Sequence, residues 1–137
     1  MPLEVELVTP ERILLQAQVD ELNVPGELGY LGILPGHTAL LTTLGEGELM
    51  VRQGATQRFL AVFWGYMEVN DDKVTILAEV AEPGEAIDRA RAEAARDRAE
   101  DRLRRTQELD IDFERARAAL TRSMIRLQVA SKSPARV

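Results

Sequence analysis

Hydrophobic and polar residues alternate from the start of the chain, where Leu3, Val5 and Leu7 are separated by Glu4 and Glu6 before Thr9-Pro10 ends the run. Period-two alternation of this kind predicts a strand with one buried face. Ile13 to Val24 supplies two further strands around Asp20-Glu21, Gly45 and Gly47 introduce one at Glu48 to Gln53, and Gly54 turns the chain into Arg58 to Phe63. Gly65 then punctuates, Tyr66 to Val69 extends, Asn70-Asp71-Asp72 reads as a hairpin turn, and Lys73 to Val80 closes the series. Short strands joined by turn residues, with no helical period between them, predict an antiparallel β-sandwich over residues 1–84. Phe63 and Trp64 are expected in its core.

The pattern changes at Pro83-Gly84. From Glu85 onward glycine is absent, proline returns only at Pro134, and alanine and arginine dominate, a helix-forming composition. Ala92, Ala95, Ala99 and Leu103 fall on one face of a first helix, a narrow stripe that lets a neighbour approach closely. Phe113, Ala116, Leu120, Met124 and Leu127 make a larger apolar stripe on a second. The polar stretch Thr106 to Asp112 separates them and holds Asp110 as a candidate cap for the second helix. Residues 85–137 are therefore expected to form an antiparallel two-helix hairpin, and the whole chain an α+β protein.

Composition narrows the function. A chain of 137 residues accommodates one small domain and an appendage. The absence of cysteine excludes disulfides, thiolate metal sites and cysteine nucleophiles. The opening Met-Pro-Leu-Glu-Val-Glu-Leu carries acid where a signal peptide carries base, and no stretch approaches the ~20 apolar residues that span a bilayer. Membrane association is thus expected only through a partner. The net charge of −6 is unevenly spread: residues 1–84 hold four basic and thirteen acidic side chains, residues 85–137 thirteen and ten. From Arg115 onward there are six basic residues and no acidic one. Such asymmetry suggests that the two halves face different partners.

Candidate chemistry is sparse. The glycine-rich stretch Glu27 to Thr42 fails as a phosphate loop, because its glycines are spaced by three, no Lys-Ser/Thr pair follows, and Pro35-Gly36 breaks any helix that would supply a dipole. It reads as tight turns between core strands. His37 is the only histidine and has no companion ligand, so a loop histidine is expected rather than a metal site. With no nucleophile-base pair, an independent enzyme is not expected. In the hairpin, Asp88, Arg91 and Arg98 share one side of a helical wheel at about 100° per residue. Folding about residue 109 brings Arg122 level with residue 96 and Arg126 with residue 92. Four guanidinium groups so gathered call for an anion. The alternative is that they point to solvent or pair with Glu93, Asp97 and Asp101.

The run Gly29 to Thr42, G-Y-L-G-I-L-P-G-H-T-A-L-L-T, resembles the signature of the ε subunit of F-type ATP synthases. The likeness continues through Gly65 to Val69, Val74 to Ala78 and the helical tail, covering essentially the whole chain. It implies a non-catalytic central-stalk subunit of a bacterial proton-translocating complex, at the cytoplasmic face of the plasma membrane. Its sandwich would meet the γ subunit and the c-ring through a loop that includes Gly29, Gly32, Leu34, Pro35, Gly36 and His37. Its tail, folded or extended along γ, would inhibit ATP hydrolysis by placing Arg115, Arg122 and Arg126 against the catalytic β (and α) subunits. Ile87-Asp88-Arg89-Ala90-Arg91-Ala92 matches the I-D-x-x-R-A motif of family members that bind ATP. Carried over residue by residue, this implies an ATP site of Glu82, Ile87, Asp88, Arg91, Ala92, Arg98, Arg122 and Arg126. No cofactor is required, and ATP is the regulatory ligand. The reading from residues alone leaves a β-sandwich adaptor with a coiled-coil dimerisation arm as the alternative. Nucleic-acid binding is disfavoured by the acidic chain, the lack of aromatic interleaving in the tail and the alternation of Arg with acid in the first helix.

Overall fold

The computed structural model describes residues 1–105 and 112–133. It divides into two compact units, Met1–Pro83 and Gly84–Val137. The first unit contains β1 (Leu3–Val8), β2 (Ile13–Val19), β3 (Glu21–Gly26), β4 (Gly29–Ile33), β5 (Leu40–Gln53), β6 (Thr56–Asn70) and β7 (Lys73–Pro83). They form one continuous sheet in the order β2-β1-β7-β6-β5-β3-β4, folded over a core that includes Leu3, Leu22, Leu49, Leu60, Met67 and Ile76. The architecture is the expected sandwich, and its pairings are antiparallel except one. β1 runs parallel to β7, with Val5 opposite Val74 and Leu7 opposite Ile76.

The glycines that were expected to separate strands bend them instead. β5 runs through Gly45 and Gly47, and β6 runs through Gly65. In β6 the core residues are Leu60 and Val62 before Gly65 but Met67 and Val69 after it, so the buried face changes phase. Trp64 and Gly65 cause the change. Both have positive φ, 64° and 151°, and the ladder passes from Phe63–Val80 directly to Gly65–Ala78. The register is the same on both sides, so no residue is inserted; the two positive-φ residues turn the strand and leave Trp64 outside the ladder. Phe63 is buried as expected, whereas Trp64 is swung outward and left 46% exposed.

Side chains then close the folded sheet. At the β2–β3 corner the Asp20 amide donates to the Arg52 carbonyl at 2.8 Å, the Asp20 carboxylate accepts from the Gly54 amide at 2.6 Å, and Arg52 Nε donates to Glu21 at 3.1 Å. The Asp71-Asp72 turn has φ of 52° and 61°, the type I′ geometry that matches strand twist.

The second unit opens with a 3-10 turn at Gly84–Ala86, followed by α1 (Arg89–Arg104) and α2 (Phe113–Ser131), which pack together. Each begins at an aspartate cap: Asp88 accepts from the Arg91 amide at 3.0 Å, and Asp112 from the Arg115 amide at 3.1 Å. The cap of α2 is therefore Asp112; Asp110, and the fold near residue 109, lie outside the described residues. Ala92 and Ala99 are buried on α1 as anticipated. On α2 the buried positions are Ala116, Ser123, Val129 and Ala130, of which Ala116, Ser123 and Ala130 are seven apart, with Leu120 and Leu127 half-buried between them. One small residue per heptad permits a close helix approach. Phe113 and Met124, assigned to this stripe by their hydropathy, are instead exposed. Met124 lies about 100° from Ser123 on the helix and so misses the seam. Ser123 is tolerated inside because its hydroxyl donates to the Leu120 carbonyl at 2.8 Å.

Candidate functional site

The anion-site candidates lie mainly in the second unit. Arg91 and Arg98 are exposed on α1, while Arg122 and Arg126 are half-buried on α2. Of the acids that were expected to neutralise them, Asp97 and Asp101 are engaged elsewhere, while Glu93 makes no ion pair among the described residues. Asp97 pairs with Arg96 at 3.3 Å, Asp101 with Arg105 at 3.2 Å and Glu100 with Arg104 at 3.8 Å. Among the described residues, Arg91, Arg98 and Arg122 make no ion pair.

The register of the hairpin follows from one contact at its open end. Arg89 Nη2 donates to the Ala130 carbonyl and, at 3.4 Å, to that of Ser133. Counting inward from there, antiparallel helices bring Arg122 level with about residue 98 and Arg126 with about residue 94. At about 100° per residue, Arg91 and Arg98 sit on one flank of the Ala92–Ala99 seam, and Arg122 and Arg126 on the matching flank of the Ser123 seam. An antiparallel pair puts those flanks on the same side. Four guanidinium groups on one side can bind a polyanion through charge-assisted, bidentate contacts.

The other motif residues play different parts. Asp88 caps α1 with one carboxylate oxygen on the Arg91 amide, which leaves the second oxygen's acceptor capacity facing outward from an exposed residue. Ala92 is buried in the seam, so it sets helix spacing and offers no polar group. Ile87 is half-buried, and Glu82 belongs to β7 of the first unit, opposite Ala61. Arg115 is exposed in the first turn of α2.

In the first unit, Gly29 starts β4 with φ 142° and Gly32 lies within it. Leu34, Pro35 and Gly36 are exposed beyond the strand, and His37 is half-buried. The His37 amide donates to the Leu34 carbonyl at 3.1 Å, and its Nδ1 lies 2.7 Å from the Thr38 carbonyl oxygen. The Gly36 amide donates to the Asp72 carboxylate at 2.7 Å, a tie across 36 residues that sequence reasoning did not foresee. A second unforeseen feature is a row of apolar side chains across the outer face, with Tyr66, Leu77 and Ile13 exposed and Val8 half-buried: Tyr66 opposite Leu77, Leu77 opposite Val8, Val8 opposite Ile13. No helix among the described residues is long and apolar enough to cross a membrane.

Comparison with known proteins covers both units. Residues 2–84 match the ATP synthase Delta/Epsilon chain beta-sandwich domain, and residues 85–131 the Delta/Epsilon chain long alpha-helix domain. The chain is 50% identical over 130 residues to ATP synthase epsilon chain 2 of Syntrophotalea carbinolica, covering 95% of this chain and 94% of that one. It is 48% identical over 131 residues to the epsilon chain of Geobacter metallireducens, covering 96% and 95%. Among solved structures, a chain of the Euglena gracilis mitochondrial ATP synthase aligns with a TM-score of 0.69 at 23% identity, over 95% of this chain and 78% of that one. A chain from the Tetrahymena thermophila mitochondrial ATP synthase central stalk and c-ring aligns at 0.56 and 19%, over 96% of each. At those identities the likeness concerns the fold.

Proposed function

The chain belongs to the ATP synthase delta/epsilon family as a non-catalytic subunit, and on that premise we propose that it joins the central stalk to the c-ring and restrains ATP hydrolysis with its helical tail. The sandwich carries assembly. Its apolar row, with Ile13, Leu77 and Tyr66 exposed around a half-buried Val8, suits an apolar partner surface such as γ, since contiguous apolar patches on soluble domains mark protein contacts. The loop Leu34–His37 suits the c-ring. Membrane association at the cytoplasmic face then comes through the complex.

In the tail, the closed hairpin binds ATP as a regulatory ligand through Asp88, Arg91, Arg98, Arg122 and Arg126. One observation carries this reading: Asp97, Glu100 and Asp101 of α1 are paired with Arg96, Arg104 and Arg105, and Arg91, Arg98 and Arg122 on one flank have no ion-pair partner among the described residues. Opening the hairpin disperses the cluster, so ATP favours closure, while the extended tail presents Arg115, Arg122 and Arg126 to a catalytic subunit.

Titration calorimetry of the isolated chain tests the site. ATP should release binding heat, and Arg122→Ala should weaken affinity by tenfold or more, at about 1.4 kcal/mol per factor of ten. Arg117→Ala, an exposed arginine on the opposite flank of α2, should not. Equal affinities for the two variants, or no heat at millimolar ATP, would remove the site.

A further inference from the structure

We infer that Arg89 is a positioning residue that latches the hairpin shut at its open end, and that the latch is specific to the closed conformation. The inference rests on the two-state reading of the tail but not on its nucleotide site.

Two features meet at this end. The Arg89 guanidinium, in the first turn of α1, donates to the Ala130 carbonyl in the last turn of α2 and to the Ser133 carbonyl just past its end. The Ala130 carbonyl is among the last acceptors of the helix, and a cation there also meets the negative end of the helix dipole. Beside them Gly84 is buried so closely that a Cβ on it would stand 1.8 Å from Ser133 Oγ, 2.9 Å from its Cβ and 3.1 Å from the Val129 carbonyl oxygen. The Ser133 hydroxyl is held in turn by the Val129 carbonyl at 3.1 Å. Arginine and glycine thus grip the same turn of α2, one by charge and one by close approach.

Sequence separation makes the contact a discriminator. Arg89 and Ala130 are 41 positions apart. In a continuous helix they would stand about 60 Å apart, out of reach of any side chain. Every interaction Arg89 makes with α2 therefore counts toward the closed form alone, and removing it shifts the balance toward opening. Arg89 lies on the flank opposite Arg91 and Arg98, so it acts on a nucleotide only through closure.

The test uses the full-length chain, which has no native cysteine. Ser123→Cys, a near-isosteric change at a seam position 1% exposed, serves as reporter. A buried thiol is inert, so its modification rate by a thiol reagent, without nucleotide, follows the fraction of time the seam is open. Added to this reporter, Arg89→Ala should raise the rate roughly three- to tenfold. Arg89→Lys, which keeps the charge, should recover part of the difference. Gly84→Ala should raise the rate through the steric half of the grip. An unchanged rate in Arg89→Ala overturns the latch, and a lysine that restores nothing overturns its charge-assisted character. Saturating ATP should slow the reporter in the parent chain. If it does not, the nucleotide reading falls while the nucleotide-free rates still decide the latch.

Discussion

Replacing Gly65 by alanine tests whether the folding of β6 between the two layers depends on a single residue without a side chain. A Cβ there would lie 2.1 Å from the Leu77 carbonyl oxygen and 2.9 Å from the Ala78 Cα, both backbone atoms of the paired strand. No rotamer relieves that overlap, so β7 must retreat by roughly 1 Å to reach ordinary contact. The retreat disturbs the ladder bonds beside the Gly65–Ala78 pair, at about 1 kcal/mol each. Forcing a side chain onto φ of 151° adds about 1–3 kcal/mol, for a total of roughly 3–5 kcal/mol. A unit of this size is stable by roughly 4–12 kcal/mol, so the change removes about a quarter or more of it. Gly54→Ala is the control: its φ is 60° and nothing lies within 4 Å, leaving only the left-handed penalty of about 1 kcal/mol. Urea unfolding followed through Trp64, the only tryptophan, reads both variants beside the bend. Equal midpoints for the two would refute the argument that Gly65 is held by the approach of β7.

The tie between the partner-contact loop and the β6–β7 turn should fail in Asp72→Ala, which loses about 1.5 kcal/mol of charge-assisted hydrogen bonding. Asp72→Asn keeps an acceptor and tolerates the positive φ, so exchange of the Gly36 amide should speed up about tenfold in the first variant and little in the second. In the assembled complex, replacing Arg115, Arg122 and Arg126 together by alanine should relieve inhibition of ATP hydrolysis more at low salt than at high, because such a patch acts over about 10 Å at 0.1 M salt. A salt-independent effect would locate the inhibition in helix packing instead.

Much of the fold was legible along the chain. Alternation marked β1, the Asp20-Glu21 corner and the Asp71-Asp72 turn, because a strand with one wet face must write its period into the sequence. Trp64 was misjudged for a local reason: beside Phe63 it continues an apolar run, and only the positive φ of two successive residues turns it outward. Ser123 was passed over because hydropathy treats a hydroxyl as polar even where its own helix supplies the acceptor. The role of Arg89 was not legible, since its partners are carbonyls, and carbonyls leave no mark on a pattern of side chains.

What the sequence by itself determined is what local chemistry controls: the β-then-α division, the surplus of arginine in the tail and the motif Ile87 to Ala92. Only the tertiary structure decided which face each element buries and which charges are already spent. The parallel pairing of β1 with β7, the phase change at Gly65 and the Gly36–Asp72 tie join residues far apart in the chain, where no spacing rule reaches. The allotment of Asp97 and Asp101 to Arg96 and Arg105, which leaves Arg91, Arg98 and Arg122 without ion pairs among the described residues, was likewise decided in three dimensions. An ion pair is chosen by distance, and several equally spaced partners compete along a helix until its packing selects among them.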